Sequence, residues 1–131
     1  MLAFIYEKKE CDLARRIIRS VDGSLPRKRF RIFHNLDRFI GRIEHGRRGV
    51  LVVSCAGIAE LEALKAARPK LVGSRLMIVL SENGPDALSR ARNLHPSFLC
   101  GPDVDIDDFA AALKGLIRWG ESKQEKEARV Q

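Results

Sequence analysis

Five times along this chain a short apolar run gives way to a segment with helical spacing. That alternation constrains the fold more than any other feature of the sequence. Leu2–Tyr6 is a first apolar strand, and Lys8–Val21 follows with Ala14, Ile17, Ile18 and Val21 at i, i+3, i+4, i+7. Asp22-Gly23 ends that helix, and residues 24–28 with Pro26 form a loop. In Arg29–His34, Phe30 and Ile32 alternate with arginines, which predicts a strand with one wet face near a sheet edge. Asn35 caps the next helix, which carries Leu36, Phe39, Ile40 and Ile43 on one side and ends at Gly46. Val50–Val53 is the third strand, and Ala59–Arg68 the next helix, stopped by Pro69. Arg75–Leu80 lacks alternation, as suits a central strand covered on both faces. Asp86–Leu94, Ser97–Cys100 and a last helix capped by Asp105 complete the series. In that helix Ile106, Phe109, Ala110, Leu113, Leu116 and Ile117 make the most regular stripe in the chain. Residues 1–119 read as one domain, followed by a polar tail, 120–131, that is frayed or loosely helical.

Strands alternating with helices in this rhythm give an α/β fold: one parallel sheet with helices on both faces. Five strands in 131 residues point to the flavodoxin-like order 2-1-3-4-5. The second strand is then an edge, and ligands bind beyond the carboxyl ends of the first and third strands. Those ends are Tyr6-Glu7 and Ser54-Cys55.

Charge is distributed unevenly. Residues 1–50 carry 13 Lys and Arg against 6 Asp and Glu, whereas residues 51–131 carry 11 of each. The whole excess of +7 therefore lies in the first half. A basic face of this kind suits nucleic acid or an acidic protein, or is simply a solvated surface. Phe30, Phe33 and Phe39 sit at core-like positions in this half and are not interleaved as stacking platforms.

Several chemistries lack their residues. No apolar run approaches the roughly 20 residues of a membrane helix, and the N-terminus lacks the pattern of a secretory signal. Cys11, Cys55 and Cys100 are scattered without a C-x-x-C pair, which reads as reduced, mostly buried thiols of a cytoplasmic protein. His34, His45 and His95 are not spaced as metal ligands, and no metal or cofactor is expected. Gly57, Gly84 and Gly101 belong to no phosphate-binding loop. The acidic run from Asp103 lacks the central Gly and distant Glu of a calcium loop and is better explained as capping. Cys55 precedes a helix, where a thiolate is stabilised, but position 61 is Leu61, so the Cys-x5-Arg loop of small tyrosine phosphatases is missing.

The strand ends resemble the receiver domain of bacterial response regulators over about residues 2–118. "LMIVLSENG" is similar to the fourth receiver strand and its Ser/Thr end, and "PSFLCGPDVDIDDFAAALKGLI" to the fifth strand, its Pro turn and the last helix. The resemblance implies an acid pair holding Mg²⁺, an Asp that accepts a phosphoryl group, a hydroxyl and a lysine. Carried onto this sequence, the acid pair falls on Tyr6 and Glu7 and the phosphoacceptor on Ser54. The hydroxyl is kept at Ser81, and the lysine position is Gly101, with Pro102 retained. A serine hydroxyl is not ionised at neutral pH, one carboxylate is a poor Mg²⁺ anchor, and glycine offers no cation. The resemblance thus implies a receiver without intact aspartyl-phosphate chemistry: not an enzyme but a signalling module that meets a protein partner or a second copy of itself. Receivers signal through the fourth helix, fifth strand and fifth helix, which here implicates Arg90, Arg92, Phe98, Lys114, Arg118 and Trp119. "GVLVVSCAGI" with "RLMIVLSENGPDALSRARNL" is also similar to STAS domains of anti-sigma-factor antagonists, though Gly57-Ile58-Ala59 stands where that pattern has Asp-Ser. A nucleic-acid-binding module remains the other reading of the basic half.

Overall fold

The computed structural model describes residues 2–8, 12–21, 30–44 and 49–130; of Leu2, Glu44, Cys55 and residues 119–130 it describes the backbone. Five strands, β1 (Leu2–Tyr6), β2 (Phe30–Phe33), β3 (Gly49–Ala56), β4 (Arg75–Leu80) and β5 (Phe98–Cys100), alternate with five helices. The helices are α1 (Leu13–Val21), α2 (Leu36–Glu44), α3 (Ile58–Ala66), α4 (Pro85–Arg92) and α5 (Ile106–Val130). All four strand pairings are parallel, in the order β2-β1-β3-β4-β5. Both the sheet and its order are as the rhythm predicts.

Two apolar layers fill the space on either side of the sheet. One joins Ala3, Ile5, Val50, Val52, Met77 and Val79 to α1 and α5 through Ile17, Phe109, Leu113 and Ile117. The other joins Phe4, Leu51, Val53 and Ile78 to Phe39 of α2, Leu61 and Leu64 of α3, and Ala87 and Ala91 of α4. The strict alternation between layers explains why β1, β3 and β4 read as unbroken apolar runs.

Several boundaries differ from the sequence reading, each for a local reason. β3 does not stop at Val53. It continues through Ser54 and Cys55 to Ala56, with a one-residue register shift against β4 between Val53 and Ala56. That bulge lets the strand run past its polar residues. Helix α3 ends at Ala66, and Arg68–Leu71 forms a separate 3-10 turn around Pro69, because proline has no N–H to continue the α-helical ladder. Pro85 opens α4 instead of preceding it, since the first helical position needs no N–H. In β2, Ile32 is 43% exposed although it alternates with Arg31, because this edge strand has a neighbour on one side only. Asp105 caps α5 as expected, its Oδ1 accepting from the Asp107 and Asp108 amides at 2.9 and 3.2 Å. The backbone of α5 stays helical through Gly120 to Val130. Helix α1 starts at Leu13 and not at Lys8, for Lys8 and Asp12 both lie outside it. Residues 9–11, 22–29 and 45–48 lie outside the described residues.

Candidate functional site

Three buried polar side chains, Glu7, Ser54 and Glu60, lie at the carboxyl end of the sheet, each already committed to a partner. Tyr6 ends β1 directly opposite Val53 of β3. The next residue along β3 is Ser54, fully buried, whose hydroxyl donates to the Tyr6 carbonyl at 2.9 Å. The side chain stitches the two strands together just where their ladder ends. Its oxygen faces a carbonyl, and no base lies against it among the described contacts.

Glu7 turns its carboxylate toward α1. Its Oε1 accepts from the Ala14 amide at 3.0 Å, in the first turn of that helix. A carboxylate there satisfies an orphan helix amide and complements the positive end of the helix dipole. The backbone of Glu7 extends the edge pairing, its N–H donating to the Phe33 carbonyl at 2.9 Å, while His34 Nδ1 lies 2.9 Å from the Glu7 carbonyl.

Sequence reasoning missed Glu60 and Lys8. Glu60 stands in the first turn of α3 and reaches back to the Gly57 amide at 3.2 Å, the return half of a capping box. Its other oxygen forms an ion pair with the Lys8 ammonium; the Glu60 side chain is 6% exposed and that of Lys8 50%. Burial raises the Glu60 pKa, but the Lys8 ammonium and the backbone N–H groups of Glu60 and Gly57 outweigh it, so the carboxyl is held below its ordinary range. The same burial, then the Glu60 charge, push the Tyr6 phenol above its ordinary value, with Lys8 opposing. Tyr6, Lys8 and Glu60 thus form one electrostatic unit. The only signal in the sequence was the spacing of Glu60 three residues after Gly57, a helix-start pattern that the assignment of Ala59 as first residue obscured.

The remaining expected positions are equally occupied. Ser81 is exposed, and both its amide and its hydroxyl donate to the Ala56 carbonyl, at 3.0 and 3.3 Å. At Gly101 an added Cβ would overlap the amide oxygen of Asn83, so Asn83 fills the space from which a side chain at 101 would start. A cavity of about 220 Å³ opens beside Ser81 between Leu13, Pro102 and Val104, but Tyr6, Glu7 and Ser54 do not line it. No group of three or more His, Cys, Asp or Glu side chains suited to a metal ion occurs among the described residues. Of the Mg²⁺ donors that the resemblance implies, only one carboxylate is present, and it serves α1. The donor set does not fit the ion. Cys100 is half-buried against the Ile78 carbonyl at 3.9 Å, and burial pushes its thiol up to about 11. The Cys55 side chain lies outside the described residues.

The proposed partner face divides. Arg92 and Arg118 are exposed and Lys114 half-buried. Phe98 is not a free surface group: its ring packs edge-on against Phe109, 5.3 Å between centroids, and completes the α1–α5 layer. Arg90 reaches away from α5, pairing with Asp86 one turn back and with Glu62 on α3. The side chain of Trp119 lies outside the described residues.

No protein-family model matches this sequence, and no curated protein matches it. Solved structures do. A receiver domain protein (CheY-like) from Methanospirillum hungatei superposes with a TM-score of 0.73 at 10% identity, covering 94% of this chain and 98% of that one. The chain has the receiver-domain fold. A DNA-binding response regulator of the LuxR family from Staphylococcus aureus matches with a TM-score of 0.66 at 16% identity, over 88% of this chain and 98% of that one. A response regulator from Burkholderia pseudomallei, solved with a phosphorylated aspartic acid and a calcium ion, gives 0.65 at 13% identity over 100% of this chain and 75% of its own. The parallel 2-1-3-4-5 sheet and these likenesses favour the receiver over the STAS resemblance. No helix among the described residues is long and apolar enough to cross a membrane.

Proposed function

We propose that this receiver fold is a regulatory module of bacterial two-component-type signalling that works through protein contacts, in the cytoplasm, without aspartyl-phosphate chemistry. The observation that carries this reading is the commitment of the buried polar side chains described at the strand ends. Ser54 is buried and donates to Tyr6. Glu7 holds the start of α1, and Glu60 holds the start of α3 together with Lys8. A phosphoryl group needs an ionised acceptor, a cation to answer its charge and access from solvent. Ser54 supplies neither ionisation nor access, and the nearby cation Lys8 is engaged with a carboxylate.

The partner-facing residues are then Arg92, Lys114 and Arg118, which remain available on the α4–β5–α5 side. A second copy of the chain and an unrelated protein are both compatible with this face. Affinity capture from native lysate, with nuclease present, tests the reading. Proteins retained by the wild-type chain and lost from an Arg92→Glu/Lys114→Glu/Arg118→Glu variant are the expected result. Equal retention by the variant, or no protein retained and no self-association, would overturn it.

A further inference from the structure

Arg15 and Arg19 on α1, Arg31 on β2, and Arg38 and Arg42 on α2 are all exposed. Among the described residues none of these five guanidinium groups makes a hydrogen bond or ion pair. The contrast with α4 is informative: there Arg90 is held by both Asp86 and Glu62. The three arginine-bearing elements are consecutive in sequence and gather at one end of the sheet. β2 is the edge strand, and α1 and α2 flank it from opposite faces, each belonging to a different apolar layer. Arg15 and Arg19, and likewise Arg38 and Arg42, stand one turn apart, about 6 Å along the axis, while Arg16, also exposed, lines the cavity beside Ser81. Asp37 is the one acidic side chain described on these three elements. Asp107, which accepts from Ser20 at 3.2 Å, lies toward α5 on the other flank of α1.

Uncompensated cations repel one another, and a polyanion with regularly spaced charge is their natural complement. The chemistry of the surface selects among polyanions. Single-strand binders stack bases on exposed aromatics. Here Phe30 and Phe39 are buried, and Phe33 packs against the rings of Phe4 and Phe39 at 5.9 and 5.8 Å. An acidic protein partner would be anchored by apolar or aromatic groups at the centre of the contact. Ile32 is the lone exposed large hydrophobic side chain described on these elements. Guanidinium groups contact phosphates without either device. We propose that the β2 end of the sheet is a phosphate-contacting surface for double-stranded nucleic acid.

The test is fluorescence anisotropy of the full chain with a short labelled DNA duplex of arbitrary sequence, titrated over a range of salt. Five phosphate contacts predict a slope of about −4.5 in log affinity against log salt. Arg15→Ala/Arg19→Ala and Arg38→Ala/Arg42→Ala should each reduce that slope by about 1.8 and weaken binding. All four residues are exposed, and circular dichroism confirms that the variants fold. The Arg92→Ala/Lys114→Ala/Arg118→Ala variant should keep the slope, which separates this surface from the protein-contact face: either can fail without the other. Absence of duplex binding at low salt, tighter binding of the single strand, binding to an acidic peptide in place of the duplex, or slopes unchanged in both α1 and α2 variants would overturn the proposal.

Discussion

Replacing Lys8 by methionine perturbs the electrostatic unit at the strand ends. The substitution keeps the apolar stem and removes the ammonium that faces Glu60. Breaking a fully buried pair costs about 3–5 kcal/mol because a charge is left without compensation, whereas an exposed pair contributes about 0.2–1 kcal/mol. Glu60 is at the buried extreme, with its side chain 6% exposed, but that of Lys8 is 50% exposed, so water screens the pair. An intermediate loss of about 1–2 kcal/mol at pH 7 follows. In a chain of this size that lowers Tm by roughly 3–8 °C. The pH dependence carries the sharper test. The folded-state pKa of Glu60 is depressed below its ordinary 4.5, so its contribution is present above that value and lost as pH falls through the lower folded value. The gap between wild type and Lys8→Met must therefore be full at pH 7 and close in strong acid, where Glu60 is neutral in both proteins. Urea unfolding at neutral and strongly acidic pH measures it. A gap of the same size at both pH values would show that the effect does not depend on the charge of Glu60. No gap at pH 7 would refute the pairing itself.

Further outcomes follow from the same site. Tyr6 is the single tyrosine, so ultraviolet titration reads its phenol directly; it should ionise above the ordinary 10.0, and Glu60→Gln should lower it while burial keeps it raised. Ser54→Ala should cost about 1 kcal/mol for the lost bond to the Tyr6 carbonyl. Ser54→Asp should cost about 3 kcal/mol or more in chemical denaturation, because it places an unpaired carboxylate against a carbonyl in a fully buried position. Gly101→Ala should destabilise the fold in the presence of Asn83 and be closer to neutral in an Asn83→Gly background, a coupling that a double-mutant cycle measures.

The architecture was legible because its signals are local and repeat. Leu2–Tyr6 and Arg75–Leu80 appear in the structure with the predicted limits, since a buried parallel strand declares itself as an apolar run between polar residues. The end of the third strand was less legible. Ser54 and Cys55 look like the start of a loop, and only the pairing of Tyr6 with Val53 and the bulge before Ala56 keep them in the sheet. The site positions inferred from the receiver resemblance fall at the strand ends, with Glu7 and Ser54 beside Tyr6. What the sequence did not disclose is how each is occupied. The Lys8–Glu60 pair joins residues 52 positions apart on different elements, and no periodicity predicts such a partnership. Asn83 filling the space at Gly101 is a contact of the same kind. Phe98 and Arg90 lie on elements of the expected surface, but packing against Phe109 holds one at the edge of the core and ion pairs turn the other toward α3.

The central claim is that the strand-end site is closed to phosphoryl chemistry because its polar groups are already committed to the fold. Backbone amide resonances of the full chain, followed during titration with Mg²⁺ and beryllofluoride, test it most directly. The account predicts no saturable shift at residues 53–57 or at Ser81. Saturable shifts there at micromolar ligand would contradict it, and would mean that Ser54 and Glu7 can leave their present partners to build a working site.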